Sequence, residues 1–424
     1  MQYAVPRGTK DILPADSFVW QKIEAACRKI FALYNYMEIR TPIFESTELF
    51  TRSIGKTTDI VGKEMYTFED RKGRSLTLRP EETAPVVRAC LENNLIGPDL
   101  LTKLYYIGPM FRYERPQAGR QRQFHQAGVE VFGSNDPLLD AEVIILNLQL
   151  LSEIGLKDLE VDINSVGCTK CRPAYRKKLS EYLKDNIKHM CADCQERFIN
   201  NPLRVLDCKE TKCQKYIENA PASSEVLCEE CKTHFEKVVG WLDGLMVRYK
   251  VNNRLVRGLD YYTKTTFEIV SSKLGAQNAV SGGGRYDGLV EELGGKPTPA
   301  VGFAIGLERV IEIMTNDKYQ ILPAGRQVTN EGRIIIYFAT IGEEAKKIGF
   351  DMLQKARSRG VSADMDYLGK SLKAQMKVAD RAGAQYVYII GDDEIKKQSA
   401  ILRNMQTSDQ QDMSFDRLFD ELKI

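Results

Sequence analysis

FRYE (111–114), RPQAGRQ (115–121) and RQFHQAGVE (122–130) form the stretch whose reading decides the fold. Aromatic and β-branched runs at 103–114 and 122–132 flank the polar, basic middle segment, which predicts a β-hairpin closed by a long loop. Side chains two apart in a strand share a face. Arg112 and Glu114 therefore point together, as do Phe124, Gln126, Gly128 and Glu130, while His125, Ala127, Val129 and Val131 take the opposite side. One face is mainly apolar and suits a core. The other carries a glutamine and a carboxylate around a glycine, which fits either the floor of a pocket or a solvated sheet surface. Arg115, Arg120 and Arg122 crowd the loop, and guanidinium groups so placed suit a polyphosphate or an RNA end.

Outward from the hairpin, residues 17–34 place apolar side chains at helical spacing, with Asp16 or Ser17 available as N-cap. Residues 64–80 read as short strands turning at Asp70–Gly73, 81–94 as a helix after Arg79-Pro80, and 138–154 as another helix. Strand-like runs follow at 159–164, 246–251 and 261–271, then a glycine-rich stretch at 281–288 and a helix at 301–315. Strands outnumber a simple βαβ alternation, so the prediction is an α+β fold with a mixed or antiparallel sheet under helices. Residues 316–332 are polar with proline and glycine and read as a linker, set at 326–332 when the chain is divided into units. Beyond it, 333–424 alternate strand and helix (334–339, 343–358, 361–366, 371–382, 386–391), a small three-layer α/β unit.

The chain's 424 residues suffice for two or three domains, each with its own core. No window approaches the roughly 18 consecutive apolar residues of a membrane span, and the N-terminus lacks a basic-then-apolar leader, so a cytoplasmic protein is expected. Lys+Arg 60 against Asp+Glu 58 gives a net charge of +2, with no global sign of a nucleic-acid partner. Any RNA contact must then use locally arranged charge.

Three further stretches carry chemistry. RGLDYYT (257–263) crowds an arginine, an aspartate and two tyrosines at the start of a strand, suiting either a binding site or a salt-bridged turn. SGGGRYDGL (281–289) lets backbone approach a ligand but lacks both the strand–G-x-G-x-x-G–helix context and a P-loop lysine. AVGFAIGLERV (300–310) has Gly302 and Gly306 four apart, with Arg309 beyond Glu308.

Taken together these pieces resemble a known family. FRYE–loop–RQFHQAGVE is similar to motif 2 of the class II aminoacyl-tRNA synthetases, GFAIGLER (302–309) to their motif 3, and EIRTPIFE (38–45) to motif 1, whose family role is dimerisation. RGLDYYT and GGGRYDGL (282–289) resemble the two histidine-specific motifs of the histidyl-tRNA synthetase family, and with TLRPEET (77–83) the resemblance covers residues 5 to about 315. The resemblance implies a class II antiparallel-sheet catalytic domain at 1–325, interrupted by a Cys-rich, mainly helical insertion at about 168–240, and an anticodon-binding domain at 333–424. It also implies L-histidine, ATP, Mg2+ and tRNA(His) as partners, a homodimer, and no membrane.

By position in those motifs, the resemblance makes Arg257 and Arg112 the catalytic arginines at the α-phosphate and the substrate carboxylate. Arg120 and Arg309 fall at the outer phosphates and adenine, with Phe124 stacked on the ring and Glu114 beside it. Glu81, Thr83 and Gln126 fall at the histidine ammonium, and Glu130, Tyr262 and the adjacent Tyr261 at the imidazole. Glu82 departs from the family's usual glycine and puts the local loop conformation in question. Two rivals use the same fold. A histidine-sensing regulatory subunit of ATP phosphoribosyltransferase predicts erosion of the arginine set and loss of the C-terminal unit. A synthetase for another amino acid of the subclass is disfavoured by RGLDYYT with Glu130.

Eight of the ten cysteines fall in the insertion as Cys168-x2-Cys171, Cys191-x2-Cys194, Cys208-x4-Cys213 and Cys228-x2-Cys231. In a reducing compartment these suggest metal rather than disulfides. The first two pairs are separated by 19 residues, within the spacing of a structural zinc site, and the last two by 14. His189 and His234 lie nearby as alternative ligands, although each reads more simply as a surface residue.

Overall fold

The computed structural model describes residues 3–55, 58–97, 100–115, 120–271, 279–316 and 335–418. It divides into two compact units, residues 1–319 and 320–424. The linker expected at 326–332 lies outside the described residues.

In the first unit the predicted hairpin sits near one side of an eight-stranded sheet. In spatial order the strands are Met37–Glu38, Thr102–Phe111, Gln123–Phe132, Ala300–Gly306, Ala279–Arg285, Thr263–Ser271, Leu159–Ser165 and Tyr249–Val251. The six inner strands are antiparallel, and the two short edge strands pair in parallel. One face is apolar, and strand period decides which residues reach it. Ala127, Val129, Val131, Val301, Phe303, Ile305, Phe267 and Ile269 meet the helices Pro14–Leu33, Pro137–Ile154 and Leu307–Asn316 in a single buried cluster. Each fully buried aliphatic side chain there contributes about 1.5–3 kcal/mol.

Two readings require correction. The helix expected over 301–315 begins only at Leu307, and Ala300–Gly306 is a strand. The alternation of Val301, Phe303 and Ile305 puts them all in the core, whereas Gly302 faces a carboxylate, Glu130, that a Cβ would overlap. The two glycines four apart therefore mark the site face of a strand. The first helix starts at Pro14, with neither Asp16 nor Ser17 as N-cap: a proline needs no backbone N–H in the first turn. Helix Pro137–Ile154 is capped conventionally, because the Asp136 carboxylate accepts from Leu138 N at 2.9 Å. Asp136→Ala should lower the stability of this unit by about 1 kcal/mol, read as a shifted denaturant midpoint at constant slope.

The insertion forms a small core of its own around Tyr175, Leu179, Leu183, Val205, Leu206 and Ile217. Helix Glu229–Gly244 then returns to the main core through Val238 and Leu242. On that helix His234 is buried against Asp140, Nε2 to Oδ1 3.2 Å, which overturns its reading as a surface residue. Asp140 is also paired to Arg285 Nη1 at 2.7 Å, and both side chains are shut off from solvent. Burial is the largest single influence and raises the Asp140 carboxyl, but the Arg285 guanidinium together with His234 and the Thr265 hydroxyl more than offsets it, so the net direction is downward.

The second unit has a five-stranded sheet in the order Ala363–Met365, Ile336–Thr340, Tyr386–Ile390, Ser399–Asn404, Gln410–Ser414. Ile336, Phe338, Tyr388 and Ile390 pack on one side against helix Glu343–Ser358, and Tyr337, Ala339, Val387 and Ile389 on the other against helix Leu372–Arg381. This is the three-layer arrangement expected. The final antiparallel pair was not read from the sequence, because the edge strand QQDMS (410–414) exposes most of its side chains and carries no apolar alternation.

Candidate active site

The second face of the large sheet holds two adjoining cavities that share Arg112, Gln126, Arg257, Gly282 and Ala304. The smaller, about 110 Å3, is lined by Glu81, Thr83, Glu130, Tyr261 and Tyr262. The larger, about 230 Å3, is lined by Glu114, Arg120, Phe124, Glu268 and Arg309. Every candidate histidine, ATP and catalytic residue named from the sequence thus falls on one or both walls.

Local sequence explains the arrangement. Gln126, Gly128 and Glu130 share the site face of their strand, and Gly282 and Gly302 occupy it on the neighbouring strands, pairing with Glu268 and Glu130 across the ladder. A Cβ at Gly282 would overlap the Arg257 guanidinium and one at Gly302 the Glu130 carboxylate. These glycines make room for charge on a sheet that side chains would otherwise fill. At Gly128 the space is taken by the hydroxyl of Tyr106, its cross-strand partner.

Glu130 is 1% exposed. Thr83 Oγ1 donates to its Oε1 at 2.6 Å and Tyr286 OH to its Oε2. Burial pushes its carboxyl up to about 8, against those two hydrogen bonds. Glu81 is likewise raised, chiefly by burial, while accepting from Thr83 N at 2.8 Å and Ala84 N at 2.9 Å. Glu82 turns away from the cavity. Its Oε1 accepts from Arg79 Nη1 at 2.9 Å and Thr41 Oγ1 at 2.8 Å, and burial raises its carboxyl to about 7. The departure from glycine is thus absorbed by an ion pair, and Glu81 and Thr83 keep their places in the cavity wall.

The arginines are held by fixed partners. Arg257 Nη1 pairs with Glu268, and its guanidinium lies 6.0 Å from the centre of the Tyr262 ring. Arg112 Nε donates to Pro80 O at 2.8 Å, with its guanidinium 5.3 Å from the centre of the Phe124 ring. Arg120 pairs with Glu114 at 3.0 Å. Arg309 Nη1 donates to Ala279 O. Arg122 is not in either cavity wall: it stacks 3.9 Å over Tyr113. Loop residues 116–119 lie outside the described residues. The Glu308 carboxylate accepts from His125 N at 2.9 Å and lies 3.0 Å from Nδ1.

Sequence reasoning missed Tyr106, Tyr286 and Glu268. Tyr286 was within reach, since it lies inside SGGGRYDGL, and Glu268 is the single charge in TTFEIV; Tyr106 gave no signal beyond standing opposite Gly128. Among the described residues the metal-capable groups are two sets of four cysteines: Cys168, Cys171, Cys228 and Cys231, and Cys191, Cys194, Cys208 and Cys213. This corrects the expected grouping of neighbouring pairs. Helix Arg172–Leu183 carries the chain away after Cys171, so the first pair meets the last and encloses the middle two. Neither His189, which stacks on Tyr216, nor His234 joins a set.

The family model for histidyl-tRNA synthetase matches residues 8–310, and that for an anticodon binding domain residues 334–423. The chain is 54% identical over 423 residues to a histidine–tRNA ligase of Halothermothrix orenii, covering 100% of this chain and 99% of that one. Its structure is similar to apo histidyl-tRNA synthetase of S. aureus, with TM-score 0.82, 39% identity and full coverage of both chains. An ATP phosphoribosyltransferase regulatory subunit/histidyl-tRNA synthetase from Bacillus halodurans shares the fold, with TM-score 0.64 and 22% identity over 92% of this chain and 98% of that one. With both cavities built from the motif residues and the match running the length of the chain, the protein belongs to the histidyl-tRNA synthetase family.

Proposed function

We propose that the chain is a histidine–tRNA ligase: it activates L-histidine with ATP to histidyl-adenylate and transfers the histidyl group to the 3′ end of tRNA(His). The observation that carries this reading is the sharing of Arg112, Gln126 and Arg257 by a small carboxylate-lined cavity and a larger arginine-lined one. Histidine occupies the small cavity and ATP the large one, so the histidine carboxylate and the α-phosphate meet between the two arginines. A carboxylate oxygen attacks the α-phosphorus, the bond to the β-phosphate bridge breaks, and pyrophosphate leaves. The residues act by positioning and by neutralising charge on the phosphate oxygens, and no covalent enzyme intermediate is needed.

Arg120 and Arg309 meet the outer phosphates and adenine, and Phe124 stacks on the ring. Glu114, an ionisable oxygen donor in the arginine-lined cavity, fits a hard cation entering with ATP as its Mg2+ complex. Glu81, Thr83 and Gln126 take the ammonium. Glu130, Tyr261 and Tyr262 recognise the imidazole, where a competitor lacking its nitrogens leaves buried polar groups unpaired. The intact arginine set and the folded C-terminal unit, which we assign to the anticodon, disfavour a purely regulatory role. Met37, Ile43, Phe44 and Phe68 are large apolar side chains left exposed around 38–45, which supports pairing of two chains there. No described helix is long and apolar enough to cross a membrane, and none of the ten cysteines is in a disulfide, which suits the cytoplasm.

The raised Glu130 carboxyl gives this reading a proton signature. Near pH 7.5 free imidazole is mostly neutral, while Glu130, at about 8, is mostly protonated. An imidazole N–H is held more strongly by the ionised carboxylate than by the neutral acid, so histidine binding favours the ionised form and should release up to about one proton. Calorimetry in buffers of different ionisation enthalpy reads that number; no net release contradicts the neutral-imidazole pairing. The function itself is tested by charging: purified enzyme with ATP should esterify tRNA(His) with labelled histidine, and failure to do so with competent tRNA would reject it.

A further inference from the structure

The two cysteine sets stand apart from both cavities, and their geometry is specific. In each set the four Sγ atoms lie within 4.8 Å of one another. Cys168 and Cys171 are 3.7 Å apart, Cys168 and Cys228 3.9 Å, Cys191 and Cys208 3.8 Å. Disulfide sulfurs stand about 2.05 Å apart, so these are separate thiols. Four sulfurs at about 2.3 Å from a tetrahedral zinc are separated by roughly 3.8 Å. Backbone N–H groups of Cys228, Cys191 and Cys194 donate to the sulfurs of Cys171, Cys213 and Cys191 at 3.1, 3.2 and 3.4 Å, the kind of outer contact that orients thiolates on a metal.

The sets are nested, and each has a different mechanical place. Cys171 and Cys228 stand immediately before helices Arg172–Leu183 and Glu229–Gly244, so the outer set ties both ends of the insertion together. Within the inner set, Cys194 and Cys208 bracket the segment that docks on the RGLDYYT loop. From that segment Arg204 Nη1 donates to the carbonyl of Arg257 at 2.9 Å, and Asn201 Nδ2 to Asp260 Oδ1 at 3.0 Å. Arg197 and Arg204 both pair with Asp59, at 2.8 and 3.5 Å. Arg204 is itself buried, so its path to Arg257 is fixed by the backbone that the inner cysteines hold.

We infer that the insertion binds two structural zinc ions, one per cysteine set, and that the inner zinc positions Arg257 through Arg204. The positioning role rests on the assignment of Arg257 to adenylate formation; the two sites do not. Metal analysis of the full-length protein purified without chelator should give two zinc equivalents per chain, released together when the thiols are titrated with a mercurial. One equivalent, none, or iron in place of zinc overturns the assignment.

For the coupling, Cys213→Ser should retain about one equivalent and lower the kcat of histidine-dependent ATP–pyrophosphate exchange about tenfold or more. Arg204→Ala keeps all eight thiols and should retain both zinc ions while lowering kcat to a similar degree, with the histidine KM little changed. The double variant should be no slower than the slower single one, because both break one path. Multiplying losses, or an unchanged kcat in Arg204→Ala, overturns the coupling, and the second outcome is decisive even where Cys213→Ser does not fold. Zinc-free enzyme with full exchange activity sinks this inference alone, whereas zinc-loaded enzyme without exchange sinks the proposed function.

Discussion

Arg257→Ala lowers histidine-dependent ATP–pyrophosphate exchange by about 100- to 1,000-fold, the cost of removing one preorganised donor from a developing negative charge. Equilibrium histidine binding changes far less. The reason is geometric: Arg257 lines both cavities, whereas Glu130, Tyr261 and Tyr262, to which we assign the imidazole, line the small one and not the large. Burial is the largest single influence on the Arg257 guanidinium and pulls it down, but the Glu268 carboxylate together with the hydroxyls of Tyr262 and Tyr261 and the Asp207 carboxylate more than offsets it, and the net direction is upward. Arg257→Lys should recover little, since an ammonium cannot span two oxygens as the planar guanidinium does. Exchange near the unmodified rate in Arg257→Ala would remove this residue from the chemistry.

Glu130→Gln acts on the other substrate end. One charge-assisted hydrogen bond in a dry cavity is worth about 1.5–3 kcal/mol, so the histidine KM should rise roughly 10- to 150-fold, with kcat less affected. The substitution also changes how stability depends on pH. An unfolded glutamate titrates near 4.3, whereas Glu130 is raised to about 8 in the fold. Its proton is therefore held more tightly by the folded state, and this contribution is fully present below about pH 4.3 and lost as pH rises through about 8. Unliganded Glu130→Gln should show a shallower decline in denaturant midpoint between pH 5 and 8.5. Glu82, raised to about 7, contributes in the same direction and leaves part of the slope in place. An unchanged slope together with an unchanged KM would contradict the buried-carboxylate account.

Much of this site was legible because strand periodicity exposes its two faces to inspection. Phe124, Gln126 and Glu130 could be placed together from alternation alone, and their roles followed from a resemblance that spans most of the chain. Where the reading failed, two patterns competed. AVGFAIG satisfies helical spacing through Gly302 and Gly306 and strand spacing through Val301, Phe303 and Ile305; burial of the second set decided it. The cysteines show a different limit. Spacing along the chain favours neighbouring pairs, whereas the helix after Cys171 brings Cys228 and Cys231 back to the root of the insertion. Tyr106 joined the site only through cross-strand packing opposite Gly128, which no local window contains. The Ser399–Asn404 and Gln410–Ser414 pair stayed hidden because an exposed edge strand need not alternate.

The most direct test is ATP–pyrophosphate exchange by the purified protein with each of the twenty amino acids in turn, before any tRNA is added. The account predicts exchange with histidine and at most trace exchange with the others, because only imidazole satisfies the buried Glu130 and tyrosine hydroxyls while its carboxylate reaches Arg112 and Arg257. Exchange driven by a different amino acid, or none with histidine at saturating ATP and Mg2+, would contradict it.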